Sequence, residues 1–102
     1  MKRYLLTYEA REDLTDIKRY LTREAGGRVA NSTLKRIRDA FIFLNRTPGM
    51  GHLREDLTNA PVKFWSVSSY LIIYNPAAQP IEIVRVLHGS REVEPLITRT
   101  DD

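Results

Sequence analysis

The sequence predicts an α+β domain: a short strand, an antiparallel pair of helices, then a three-stranded antiparallel meander, in the order β-α-α-β-β-β. Three observations predict it. Two stretches on either side of Gly26-Gly27 carry apolar residues at helical spacing. Three later stretches are rich in β-branched and aromatic residues. The connections between those three are short and polar, as in strands that follow one another through hairpins.

Arg3 to Tyr8 is a brief apolar and aromatic run and reads as the first strand. Thr7 can cap the helix that follows, with Glu9, Glu12 and Asp13 in or near its positive N-terminal turn. Ala10, Leu14, Ile17 and Leu21 form its apolar stripe, and Gly26-Gly27 ends it. The second helix is expected from about Arg28 to Asn45. Ala30, Leu34, Ile37, Phe41 and Leu44 form its stripe, while Lys35, Arg36, Arg38 and Asp39 occupy the other face. Ile42 and Phe43 lie beside the stripe, as added core or as a face offered to a partner. Thr47-Pro48-Gly49-Met50-Gly51 stops this helix.

The strands are expected at Val62 to Val67, Ser69 to Tyr74 and Ile81 to His88. Tyr70-Leu71-Ile72-Ile73-Tyr74 is apolar on both faces, which places it inside the sheet. One sheet face must cover the helical hairpin. The other is expected to be exposed or covered by something outside this chain. Glu92 to Ile97 can add a helical turn, and residues 98–102 read as a frayed tail. A chain of 102 residues without a dividing linker is one domain, 1–102.

Composition narrows the function. With no cysteine, a disulfide framework, a thiolate metal site and a cysteine nucleophile are all excluded. The N-terminus carries Lys2 and Arg3, but its apolar stretch stops at Leu5-Leu6, so no secretory segment fits and a cytoplasmic location is expected. The net charge of +3 is unevenly spread: eleven Lys/Arg face six Asp/Glu through Arg46, and five face seven thereafter. A basic first half suits an acidic protein partner or nucleic acid.

No glycine pattern fits a phosphate loop, and His52 and His88 lack metal-ligand spacing, so neither a cofactor nor a metal is expected. The one constellation with catalytic potential is a ribonuclease site. Cleavage through a 2′-hydroxyl needs a base, an acid and cations for the phosphorane charge. Glu55 or Glu92 could be the base and His88 the acid, with Arg54, Lys63, Arg85 and Arg91 as cations. Strict alternation puts Arg85 on the face of Ile81, Ile83 and Leu87, and His88 on the opposite one. The acidic balance of this half also disfavours a polyanion groove.

Four segments in this order resemble a known family: Ala10-Arg11-Glu12-Asp13-Leu14 with Ile17 and Tyr20; Pro48-Gly49-Met50-Gly51 with Arg54-Glu55-Asp56-Leu57; Tyr70 to Tyr74; and Ile81 to Arg91. Together they resemble the ParE branch of the RelE/ParE toxin superfamily over roughly residues 3 to 97. The resemblance implies the toxin of a bacterial type II toxin–antitoxin module that poisons DNA gyrase without catalysis. Its implied partner is a ParD-like antitoxin with a ribbon-helix-helix half, which binds the toxin directly and carries the complex to operator DNA. RelE-like relatives are instead ribosome-dependent mRNA nucleases. They generally carry a basic cluster on the sheet and often an aromatic or histidine near the C-terminus. Here the last tyrosine is Tyr74, and His88 with Arg85 and Glu55 is the nuclease alternative. Under the leading reading, Arg54, Lys63, Trp65, Arg85, His88 and Arg91 are expected to touch the target. Tyr20, Arg38, Phe43 and Trp65 are expected to touch the antitoxin.

Overall fold

The structure is a computed structural model and describes residues 3–88. Its elements are β1 (Leu5–Leu6), α1 (Tyr8–Ala25), α2 (Gly27–Arg46), a 3-10 turn (Pro48–Met50), β2 (Lys63–Val67), β3 (Tyr70–Asn75) and β4 (Glu82–His88). This is the α+β order the sequence predicts. The expected turn at 92–97 and the tail at 98–102 lie outside the described residues, as do Gly89, Arg91 and Glu92.

The first strand is shorter than expected. Only Leu5 and Leu6 pair with another strand, and Tyr8 already belongs to α1. The reason is Thr7. Its hydroxyl accepts the Ala10 N–H at 3.0 Å and so starts the helix immediately. The same hydroxyl donates to the Val84 carbonyl at 2.7 Å, tying the helix start to β4. At the other end of α1, Gly26 alone separates the helices. It has φ +94°, a conformation open to glycine, and Gly27 is already the first residue of α2.

The sheet order is β1-β4-β3-β2, with β1 parallel to β4 and the other pairs antiparallel. The chain therefore leaves β1, forms the hairpin of helices on one face, and lays three strands back until the last pairs with the first. The helices bury Ala10, Leu14, Ile17, Leu34, Ile37, Phe41 and Leu44 against Tyr70, Ile72, Tyr74, Ile81, Ile83 and Val86 of the sheet side. β3 is interior, and Tyr70 to Tyr74 are all buried.

The opposite face is neither bare nor awaiting a foreign cover. Phe64, Leu71, Ile73 and Leu87 form a second cluster there, covered by Leu57 and Val62 from the chain's own 51–62 connection. The connection is fixed at both ends. His52 exchanges backbone hydrogen bonds with Phe64 at 2.9 and 2.8 Å. The Tyr74 hydroxyl accepts the Gly51 N–H at 2.9 Å and donates to the Pro48 carbonyl at 2.7 Å.

β4 does not alternate strictly. Tyr74 lies opposite Ile83 and Ile73 opposite Arg85, so Val84 has no partner: a bulge. An extra residue reverses the faces beyond it. Val86 joins Ile83 on the helix side, and Leu87 turns to the second cluster. The expectation that Arg85 and Leu87 share the face of Ile81 and Ile83 is therefore corrected: both lie on the side of Ile73 and Leu71, and His88 lies opposite them. His88 lies across from Tyr70 with ring centroids 5.6 Å apart, on the helix side.

Candidate functional site

The sheet has two flanks of different character. On the first, β1 covers only the start of β4, and α1 takes over as the cover of its edge. Asp13 does this. One carboxylate oxygen accepts the Val86 N–H at 2.9 Å and the Arg85 Nε–H at 2.8 Å. The other accepts from Arg85 Nη2 at 2.9 Å. The carboxylate thus occupies the place of a strand partner at the bulge, and a bidentate guanidinium balances its charge. Asp13 raises the Arg85 pKa above its ordinary value, by the hydrogen bond first and the opposite charge after it, against a smaller opposing effect of burial.

Beyond this clamp a groove of about 210 Å³ runs between α1 and the end of β4. Asp13, Asp16, Ile17 and Tyr20 line one wall, and Tyr70, Val86, Leu87 and His88 the other. The volume is below the roughly 300–1,000 Å³ of a typical small-molecule site. Its helix wall carries two carboxylates, the wrong sign for a phosphate ester.

The second flank joins α2 to β2. Trp65 is half-buried, with Phe43 tilted against it at a centroid distance of 5.5 Å and the His52 ring stacked at 6.3 Å. Phe43, Met50 and Leu53 remain 40%, 47% and 60% exposed. Phe43 is therefore outside the core, and its apolar surface is shared with Trp65. Lys63 donates to the Gly51 carbonyl at 3.5 Å. Arg54 forms a two-pronged pair with Asp56, both bonds 3.0 Å, in the connecting loop. That pair holds Arg54 above its ordinary value and Asp56 below its own, in each case mainly through the hydrogen bond.

The expected target-contact residues are thus divided. Arg54, Lys63 and Trp65 lie at or beside β2. Arg85 and His88 lie on β4, two strands away in the sheet order. Arg91 lies outside the described residues. Of the expected antitoxin contacts, Phe43 and Trp65 touch, whereas Tyr20 lines the α1 groove on the other flank. Arg38 is exposed, five residues before Phe43 and so about 140° away around α2. The nuclease set is not assembled either. Glu55 is exposed in the 51–62 connection on the β2 side, Arg85 is held by Asp13, and Glu92 lies outside the described residues.

Sequence reasoning missed Asp13 as the cap of the β4 edge and His52 as the companion of Trp65. Asp13 left a signal. It follows Ala10 by three residues and precedes Ile17 by four, which places it on the buried stripe where a lone carboxylate needs a partner. His52 left none, because its pairing depends on where the irregular connection returns.

A single four-stranded sheet in β-α-α-β-β-β order, with its two helices on one face and a carboxylate sealing the bulged last strand, defines a small α+β class of protein. The family described as ParE toxin of the type II toxin–antitoxin system parDE matches residues 4–93. The chain belongs to this family. A solved structure described as the chromosomal ParDE TA system from P. aeruginosa superposes with a TM-score of 0.69. It is 18% identical, with 83% of this chain and 92% of that chain covered, so the likeness is one of fold. No curated protein matches the chain.

Proposed function

We propose that this toxin acts by binding DNA gyrase and arresting its cycle, with no chemistry of its own, and that a ParD-like antitoxin neutralises it by direct contact. One observation carries the choice between gyrase and RNA. The cation that a nuclease would need beside His88 is already spent on Asp13, in a bidentate pair at 2.8 and 2.9 Å. The groove that His88 does line has Asp13 and Asp16 on its wall. A phosphorane there would meet carboxylates instead of free guanidinium. Arg54, Lys63 and Trp65, at the β2 flank, are the target contacts this reading favours, and Phe43 with Trp65 the antitoxin contacts. The toxin–antitoxin complex would then reach operator DNA through the ribbon-helix-helix half of the antitoxin.

The test is induced expression followed by two readouts. Gyrase–DNA cleavage complexes should rise, and DNA synthesis should stop before protein synthesis does. Purified toxin should inhibit supercoiling by gyrase, and His88→Gln should inhibit as well as the parent. Early loss of translation with ribosome-dependent cuts in mRNA, abolished by His88→Gln, would instead establish the nuclease.

A further inference from the structure

The basic excess of the first half belongs to one helix. α2 carries Arg28, Lys35, Arg36, Arg38 and Arg46 against Asp39 alone, whereas α1 carries four Lys/Arg against five Asp/Glu. Asp39 is held by Lys35 at 2.9 Å, so it cancels none of the arginines. Among the described residues no ion pair involves Arg28, Arg36, Arg38 or Arg46.

The placement of Arg36 is specific. Val29, Arg36 and Phe43 are spaced seven residues apart on α2, so they fall on one line within about 40°. Val29 is 44% exposed and Phe43 40%, each at one end of the line, with exposed Arg36 at its centre. The line spans roughly 21 Å at about 1.5 Å per residue. It ends against Trp65 and His52. A seven-residue repeat on a helix surface is the spacing that a second helix matches by packing alongside. Nucleic acid is a poorer occupant. The Trp65 indole already has two ring neighbours, and the exposed side chains at the ends of the line are apolar.

Resting on the toxin–antitoxin reading above, we infer that this flank of α2 docks an acidic amphipathic helix of the antitoxin. That helix would carry an Asp or Glu set against Arg36, with an apolar residue seven positions to either side facing Val29 and Phe43. The central ion pair fixes the register, and the apolar ends supply the buried area. Because the line runs into Trp65, the same helix would cover part of the flank assigned to the target, and neutralisation would be steric.

The chain has no cysteine, so Val29→Cys creates a unique thiol at an exposed site. The probe is the protein encoded by the adjoining reading frame, co-expressed and purified with this chain. Complex formation should slow alkylation of Val29→Cys by about tenfold or more. Arg36→Glu should weaken the complex by about tenfold or more, equivalent to at least about 1.4 kcal/mol. Arg11→Glu, an equal charge change on exposed α1, should weaken it far less, because long-range attraction is altered equally by both. Circular dichroism of each variant reports the fold. A stable complex in which Val29→Cys alkylates at the free rate, or in which Arg36→Glu and Arg11→Glu act equally, overturns the docking site and leaves the module intact. Protection of Val29→Cys by random-sequence duplex DNA, and not by the protein partner, overturns it in favour of nucleic acid. Failure to form any complex overturns the module and the docking site together.

Discussion

Tyr74 shows how one side chain can hold a loop to a sheet. Its ring is in the core, fully buried, and its hydroxyl sits between the Gly51 N–H and the Pro48 carbonyl. Tyr74→Phe removes one donor and one acceptor and leaves two backbone groups without their partner, at a cost of about 1–3 kcal/mol in denaturant unfolding. Burial also raises the Tyr74 hydroxyl above its ordinary value of 10.0, against a smaller lowering by the Gly51 bond. The folded chain thus keeps this proton at a pH where the unfolded chain releases it. Stability from this group is complete below about pH 10 and is lost as pH rises through the folded value. Tyr74→Phe should therefore flatten the alkaline slope of the unfolding free energy. Some slope remains from exposed Tyr8, which Glu12 also raises, first by its hydrogen bond. An unchanged slope in Tyr74→Phe would refute this assignment. Gly51 faces the same ring closely: a Cβ there would run into the Tyr74 hydroxyl and the ring carbons beside it. Since its φ is −68°, space and not backbone freedom requires glycine. Gly51→Ala should destabilise by about 1–3 kcal/mol, as overpacking does, and the loss should shrink in the Tyr74→Phe background.

At the scale of elements, the informative place is the joint between α1 and β4. The helices were legible because their apolar spacing is local, and β3 because its run is apolar on both faces. The bulge at Val84 was not. Ile81, Ile83 and Leu87 alternate in the sequence, and only the pairing with β3 shows that an extra residue intervenes. Consequently strict alternation sets His88 opposite Ile81 and Ile83, whereas the bulge brings it to their side of the sheet. The local pattern makes Asp13 a helix-terminus charge, whereas it is a strand cap and ion-pair partner. These errors share a cause: pairing between elements, whether of β3 with β4 or of Asp13 with Arg85 seventy-two positions away, has no imprint on local pattern. The joint can be measured. Asp13→Ala exposes the Val86 N–H and strands a half-buried Arg85, which retains 28% side-chain exposure. That should cost about 2–3 kcal/mol, less than for a fully buried pair because water reaches the guanidinium. Asp13→Asn keeps an acceptor for Val86 and should cost less. In a double-mutant cycle, Asp13→Ala with Arg85→Ala should fall short of the sum of the single losses. Strict additivity would mean that the pair contributes nothing and the backbone cap everything.

At the scale of the molecule, charge and apolar exposure are arranged by flank. The α1–β4 side is closed by its own clamp and carries Asp13 and Asp16. The α2–β2 side presents cations, Phe43 and Trp65 to solvent. The sheet's outer face is covered by the chain's own 51–62 connection. The open apolar surface of Val29, Phe43, Met50 and Leu53 thus lies where the charge would attract an acidic partner, and this bears on stability. A partner that binds only the folded chain stabilises it by mass action, by about 2.7 kcal/mol at one hundred times the dissociation constant. For a domain near this size each kcal/mol moves the melting temperature by about 4–8 °C, so the complex should melt roughly 10–20 °C above the free chain. If the attraction is the one described, the gain should fall as salt is raised, because exposed charges are screened over about 8 Å at physiological ionic strength. The apolar contacts of Val29 and Phe43 should preserve part of it. Thermal melts with and without the adjoining frame's product, at low and high salt, separate these contributions. A shift that is large and independent of salt would place the binding energy in apolar burial and remove Arg36 from the centre of the interface.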